Sequence, residues 1–79
     1  MEWTSNDGRL EREFRFADFV EAFAFMTRVA LLAERQQHHP DMCIRWNVVN
    51  VSVTSHDAGN TITDRDHRLA TAIDDLVAP

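Results

Sequence analysis

Three of the four histidines in this 79-residue chain could share one polar site. His38 and His39 are adjacent and precede Pro40, while His56 lies further along the chain. An imidazole titrates near neutral pH, so a group of imidazoles is suited to moving protons. We therefore predict an acid–base enzyme whose site is built by the end of a helix, a loop and the end of a strand.

Two carboxylates could support these histidines. Glu34 precedes His38 by four residues, the helical spacing at which a carboxylate can orient an imidazole, although a solvated helix charge is an equally good interpretation. Asp66 could close the same site. Its spacing from Thr63 is that of a helix N-cap and its reciprocal acceptor, however, and this favours a structural role.

The first half of the chain predicts a hairpin followed by a helix. Segment 4–8 contains Asp-Gly, a strong turn signal, and should join two antiparallel strands. The second strand, 9–16, has Leu10, Phe14 and Phe16 on one face. Asp18 with Glu21 predicts a helix start, so the helix should run from 19 to about 37, where Pro40 prevents its continuation.

Two apolar rows follow this predicted helix. The first should cover the sheet and consists of Phe19, Phe23, Met26, Ala30 and Ala33. The second contains Phe25, Val29 and Leu32. One sheet does not require both rows, so we assign the second row to a contact with another helix, from this or another subunit.

The second half predicts two more strands and a second helix. Segment 42–55 alternates as two strands with a break near Asn47, and His56 should lie on the less apolar side near the end of the second strand. Thr63 opens a helix with Leu69, Ile73 and Leu76 as its buried row. The predicted fold is therefore α+β, with order ββαββα: a four-stranded antiparallel sheet with two helices on one face, in a single domain spanning 1–79.

Composition excludes several classes of function. The net charge of −5 argues against direct nucleic-acid binding, which requires clustered cationic side chains. A single cysteine, Cys43, cannot form an internal disulfide and is predicted to be a small packing residue. No apolar run is long enough to span a membrane, so the cytosol is the default compartment. A domain of this size is marginally stable alone, which favours a homo-oligomer.

A metal site is a weaker hypothesis. His38, His39, His56 and Asp66 have the chemistry of metal ligands. Adjacent histidines rarely face one ion without strain, and their spacing matches no common zinc motif. We expect neither a metal nor any other cofactor.

The spacing of these residues also resembles a known signature. It is similar to the signature of the pterin-4a-carbinolamine dehydratases. The matching pattern is Glu34, three residues, His38-His39-Pro40, five residues, Trp46, nine residues, His56, nine residues and Asp66. Segment 14–30 is similar to the strand-to-helix entry of that family, so the resemblance extends over nearly the whole chain from Trp3.

The resemblance implies a reaction and a set of roles. Members remove water from a 4a-hydroxytetrahydropterin and so recycle the tetrahydrobiopterin-type cofactor of aromatic amino-acid hydroxylases. The implied acid–base pair is His38 and His56, with His39 holding the substrate. Glu34 and Asp66 would support them. Trp46 could lie beside the pterin ring, but its strand spacing favours the core.

Two departures from the family pattern affect these expectations. Family members usually have a further helix before the first strand, which this sequence lacks, and one extra residue separates His56 from Asp66. The resemblance also implies an alternative function, because one family member is a dimerisation partner of a transcription factor and relatives assist assembly of a carbon-fixing enzyme. A non-catalytic binding or assembly module is therefore the competing hypothesis.

Overall fold

The computed structural model describes residues 3–79, which form an α+β fold in the predicted order. The elements are β1 (Thr4–Asn6), β2 (Arg9–Arg15), α1 (Phe19–Gln36), β3 (Asp41–Arg45), β4 (Val48–Val53), a 3₁₀ turn (His56–Ala58) and α2 (Asp64–Asp75). The four strands form one antiparallel sheet in the order β1-β2-β4-β3. This confirms the predicted fold class.

The Asp-Gly turn between β1 and β2 contacts the loop that carries His56. Asp7 and Gly8 both have positive φ, the backbone that a two-residue hairpin turn requires. A side chain at Gly8 would also collide with the carbonyl oxygen of Asn60. Thr54 donates a hydrogen bond of 2.7 Å to the Gly8 carbonyl, so this turn is fixed against the end of β4.

The core lies between one face of the sheet and the two helices. Strand alternation places Val49, Val51 and Val53 on that face of β4, opposite the apolar residues of β2. Helix α2 contributes Leu69 and Ile73, both with no exposed surface. The buried cluster consists of Leu10, Phe14, Ala22, Phe25, Val29, Ala33, Val49, Val51, Val53, Leu69, Ala70 and Ile73.

The face of α1 that packs in the core differs from the predicted face. The buried residues are Ala22, Phe25, Val29 and Ala33. Phe25 and Val29 come from the row that we assigned to another helix, and Ala33 comes from the row predicted to cover the sheet. Phe19 and Phe23 are half exposed instead and stack on each other with ring centroids 6.2 Å apart. Small Ala22 and Ala33 let the helix backbone approach the sheet, a feature that the periodicity of large residues does not reveal.

Two residues of β3 and its turn were predicted to be buried and are exposed. β3 ends at Arg45, and Trp46 has a φ of 53°, so its side chain leaves the alternation of Met42 and Ile44. Trp46 is 68% exposed, and its assignment to the core was wrong. Cys43 is also exposed, on the face of the sheet that carries no helix. Within residues 3–79, neither helix has the length and apolar character needed to cross a lipid bilayer.

Candidate functional site

The end of α1 separates His38 from His39. Gln37 adopts the left-handed conformation, with φ 55° and ψ 40°, and its N–H donates to the Glu34 carbonyl. The N–H of His38 then donates to the Ala33 carbonyl at 3.1 Å, which completes a Schellman motif. The residue after the left-handed position turns back toward the helix in this motif. His38 is consequently buried, whereas His39 is exposed.

His38 is held by a buried carboxylate from α2. Its Nε2 lies 2.6 Å from Oδ1 of Asp66, which has no exposed surface. The other carboxylate oxygen, Oδ2, accepts 2.8 Å hydrogen bonds from the Ser55 hydroxyl and from the Thr63 N–H. The Thr63–Asp66 capping box is therefore present as predicted, and the same carboxylate also orients a histidine.

These hydrogen bonds keep Asp66 ionised. Burial alone would raise the pKa of Asp66, because it penalises the charged form. The hydrogen bonds from His38, the Thr63 N–H and Ser55 outweigh burial and lower the pKa below its ordinary value of 3.8. An ionised carboxylate can only accept, so Nε2 of His38 carries a proton. In the neutral imidazole, Nδ1 is then the basic nitrogen.

Glu34 does not orient His38 as predicted. Its Oε1 lies 2.8 Å from Nε2 of His39 instead, and both side chains are mostly exposed. The i to i+4 rule applies only while the chain is helical, and α1 ends two residues before His38. The left-handed Gln37 rotates His38 away from the Glu34 side and leaves His39 within its reach.

His56 reaches the site from a different segment of the chain. It begins the 3₁₀ turn that follows β4, rather than lying on the strand, and it is exposed. Its Nδ1 lies 2.8 Å from Oδ1 of Asn60, a residue with a φ of 60°. Asparagine tolerates this left-handed conformation better than most residues do. The loop geometry thereby fixes one nitrogen of His56.

The three imidazoles border one pocket of about 230 Å³. Its lining consists of Gln37, His38, His39, Thr54, His56, Asp57 and Arg65. Each imidazole uses one nitrogen for an anchor: Asp66, Glu34 and Asn60, respectively. Among residues 3–79, the second nitrogen of each ring has no hydrogen-bond partner, so all three remain available to a bound molecule.

Two further charged residues at this pocket had no signal in the sequence. Arg65 at the start of α2 forms an ion pair with Asp57 of the 3₁₀ turn. The hydrogen bond from Arg65 lowers the pKa of Asp57, which is therefore an anion at neutral pH. The pairing joins a loop to a helix across eight positions, and no periodic pattern predicts such a contact.

Trp46 lies away from these histidines. It follows the end of β3 that is opposite to His39, and it is not part of the pocket lining. Two larger hollows, of about 570 and 650 Å³, lie on the outer face of the sheet and beside α1, and neither contains a histidine. Within residues 3–79, no three His, Cys, Asp or Glu side chains are arranged to hold a metal ion. The chemistry of the lining, rather than cavity size, identifies the candidate site.

Comparison with known proteins identifies the family. A family model described as pterin 4 alpha carbinolamine dehydratase matches residues 1–76. The chain belongs to this family. A relative from Prochlorococcus marinus (strain MIT 9313), provisionally named a pterin-4-alpha-carbinolamine dehydratase, is 54% identical over 71 residues, which cover 90% of this chain and 73% of that protein.

Solved structures of two other proteins have the same fold. A transcriptional coactivator/pterin dehydratase from Brucella melitensis superimposes with a TM-score of 0.88 at 33% identity, over 96% of this chain and 82% of that one. A pterin dehydratase-like protein described as a RuBisCO assembly factor in the alpha-carboxysome has a TM-score of 0.82 at 20% identity, over 99% and 92% of the two chains. The second likeness concerns the fold alone.

Proposed function

We propose that this dehydratase-family protein is a lyase that dehydrates 4a-hydroxytetrahydropterin to quinonoid dihydropterin. The supporting observation is the single pocket on which His38, His39 and His56 converge, each with one anchored nitrogen and one available nitrogen. Dehydration requires a proton for the departing 4a-hydroxyl and a base for the proton on N5. Two imidazoles in different environments can serve as this acid and this base.

The environments of the histidines suggest how the roles are divided. Buried His38, with Nε2–H fixed on Asp66, is suited to accept a proton at Nδ1. Exposed His56 lines the same pocket and would protonate the leaving hydroxyl through Nε2. His39, whose pairing with Glu34 is exposed, would hold the substrate. The net result is loss of one water molecule, with the proton taken from N5 replacing the proton given to the hydroxyl.

The proposed reaction needs no cofactor, because only protons move and no electron is transferred. We propose the pterin as the ligand, in cytosolic recycling of a tetrahydrobiopterin-type cofactor, with no nucleic acid or membrane as partner. We further propose that residues 1–79 act as one domain. The pairing of Asp57 with Arg65 would form the polar rim of the pocket.

The outward side of α1 supports a proposed homodimer or homotetramer. Phe19, Val20, Phe23 and Leu31 are each between 49% and 74% exposed on this side of the helix. A second copy presenting the same apolar row would bury these side chains, at about 25 cal/mol per Å² of apolar surface removed from water. Phe23→Glu should shift the protein to monomer in light scattering coupled to size exclusion, whereas Thr71→Glu on α2 should not. An unchanged oligomer in Phe23→Glu would exclude this face.

Turnover of chemically generated 4a-hydroxytetrahydropterin tests the proposed reaction. The parent should dehydrate it faster than the spontaneous rate, and a His38→Gln/His56→Gln double variant should not. His67→Gln is the matched control, because His67 lies on the exposed surface of α2. Parent turnover equal to the spontaneous rate would contradict the proposed reaction. Full activity in the double variant would contradict the assignment of His38 and His56 to it.

A non-catalytic binding or assembly module is the second candidate. Exposed Trp46 and the apolar row of α1 are surfaces that a protein partner could cover. The two structural neighbours are described as a transcriptional coactivator/pterin dehydratase and as a RuBisCO assembly factor, respectively. An inactive parent with an intact fold would favour this candidate over the lyase.

A further inference from the structure

Ser55 directly precedes His56, contacts Asp66 and has no exposed surface. Its hydroxyl donates a 2.8 Å hydrogen bond to Oδ2 of Asp66 and lies 2.7 Å from the Thr63 hydroxyl. A serine hydroxyl has one proton to donate and can accept from a second group. The Ser55 hydroxyl can therefore donate to Asp66 while it accepts from Thr63.

The hydroxyl of Ser55 acts on His38 through this carboxylate. Oδ2 of Asp66 is occupied by Ser55 and the Thr63 N–H, which leaves Oδ1 for Nε2 of His38. Without the Ser55 donor, the Asp66 carboxylate would lose one of the hydrogen bonds that hold it and could rotate about its Cβ–Cγ bond. The Ser55 hydroxyl is thus part of what fixes the ring orientation of His38.

The backbone of the same residue fixes the turn that carries His56. The Ser55 carbonyl accepts hydrogen bonds from Ala58 N–H at 3.1 Å and from Asn60 N–H at 3.0 Å. Asn60 in turn lies 2.8 Å from Nδ1 of His56. One residue consequently contacts the supports of both imidazoles that the proposed reaction requires.

We propose that Ser55 is a positioning residue that fixes His38, through Asp66, relative to His56. The expected effect of Ser55 on the reaction rate rests on the proposed function. The expected effect of Ser55 on the orientation of His38 rests on the hydrogen bonds alone. Burial raises the pKa of Asp66, and the Ser55 hydrogen bond is one of the contacts that overcome this effect and lower it. The direction agrees with a role in keeping the carboxylate ionised beside His38.

Kinetics of Ser55→Ala provide the first test. The Ser55 hydroxyl donates to an ionised carboxylate, and a hydrogen bond to a charged group has a typical net value that corresponds to a rate change of about 10- to 100-fold, so kcat for 4a-hydroxytetrahydropterin should fall by about that factor. KM should stay within about twofold of the parent value, because the free ring nitrogens remain in the pocket. Ile73→Val, which alters the core on the same helix, is the control for lowered stability.

A double-mutant cycle separates positioning from general destabilisation. Asp66→Asn removes the charge on which Ser55 is proposed to act and keeps the side-chain shape. In that background, Ser55→Ala should change kcat by less than about twofold, because the path to His38 is already interrupted. Equal effects of Ser55→Ala in the two backgrounds would overturn the proposal, as would a loss of activity in Ile73→Val as large as in Ser55→Ala.

Nitrogen NMR of the imidazole rings tests positioning without any substrate. The parent should show the neutral His38 ring in a single tautomer with the proton on Nε2, and Ser55→Ala should show a mixture of tautomers. An unchanged His38 tautomer in Ser55→Ala would overturn the proposal. An inactive parent would contradict the proposed reaction and not the positioning role. The tautomer spectrum alone would then decide whether Ser55 positions His38.

Discussion

Two imidazole–carboxylate pairs lie side by side at the end of α1, and their surroundings differ in nearly every respect. His38 and Asp66 are 2.6 Å apart with 9% and 0% of their side chains exposed. His39 and Glu34 are 2.8 Å apart with 59% and 74% exposed. The two histidines are adjacent in sequence, and the left-handed Gln37 sends one into the fold and the other toward solvent. Similar pairings can therefore have very different strengths.

The physical reason is solvent. Water screens the exposed pair, and even a fully charged pair at the surface typically contributes only about 0–1 kcal/mol. The buried pair is shielded from water, and its carboxylate has two further donors, so its geometry is determined by several contacts at once. This difference agrees with the proposed roles, in which His38 transfers a proton and His39 holds the substrate.

Replacement of each histidine by glutamine should give the largest difference between the pairs. Glutamine can still donate to a carboxylate but cannot transfer a proton at neutral pH. His38→Gln should lower kcat about 10²- to 10⁴-fold, the usual contribution of general acid–base catalysis. His39→Gln should mainly raise KM, because we assign His39 to substrate binding. Steady-state dehydration kinetics measure both, and equal kcat losses in the two variants would erase the distinction between the pairs.

Removal of each carboxylate should affect stability next most strongly. Asp66→Ala breaks a capping box and leaves three buried donors without their acceptor, and the free energy of unfolding should fall by about 3–5 kcal/mol, since each such donor costs about 1–3 kcal/mol. Glu34→Ala should change it by less than about 0.5 kcal/mol, since the side chain is exposed. Urea unfolding followed by circular dichroism measures both values. Similar losses in the two variants would show that burial does not distinguish the pairs.

The smallest expected effect is the acid dependence of stability. The pKa of Asp66 is lower in the folded protein than its ordinary value of 3.8, so its contribution is fully present above that value. The contribution is lost as the pH falls through the folded pKa. Urea unfolding at a series of pH values should show this acid loss in the parent and a smaller one in Asp66→Asn. Ile73→Val should keep the parental pH dependence, and an unchanged acid loss in Asp66→Asn would contradict the assignment.

The local signals in the sequence predicted most of the fold. The Asp-Gly turn, the Asp18 cap and the Thr63–Asp66 capping box depend on neighbours within a few residues, and each of them forms as expected. Strand alternation identified the buried valines of β4 for the same reason. These elements determine the order ββαββα, because each is specified by contacts within its own segment or hairpin.

The sequence-based predictions were wrong where one residue changes the backbone direction, and where two sides of the same helix are apolar. A left-handed backbone at Gln37 and at Trp46 ends the regular spacing on which the predictions for Glu34 and Trp46 depended. The two rows of α1 are both apolar, and only packing in three dimensions selects the face on which Phe25 and Val29 lie with the smaller residues Ala22 and Ala33. The link between His38 and Asp66 spans 28 positions, beyond the reach of any local pattern.

Binding of a stable pterin tests the central claim most directly. Addition of 7,8-dihydrobiopterin to isotope-labelled protein should shift the imidazole NMR signals of His38, His39 and His56, and it should leave that of His67 unchanged. Signals at the hollow of about 570 Å³ on the outer sheet face, such as those of Glu11 and Asn50, should also stay unchanged. Shifts confined to that face, with all three pocket imidazoles unaffected, would contradict the account.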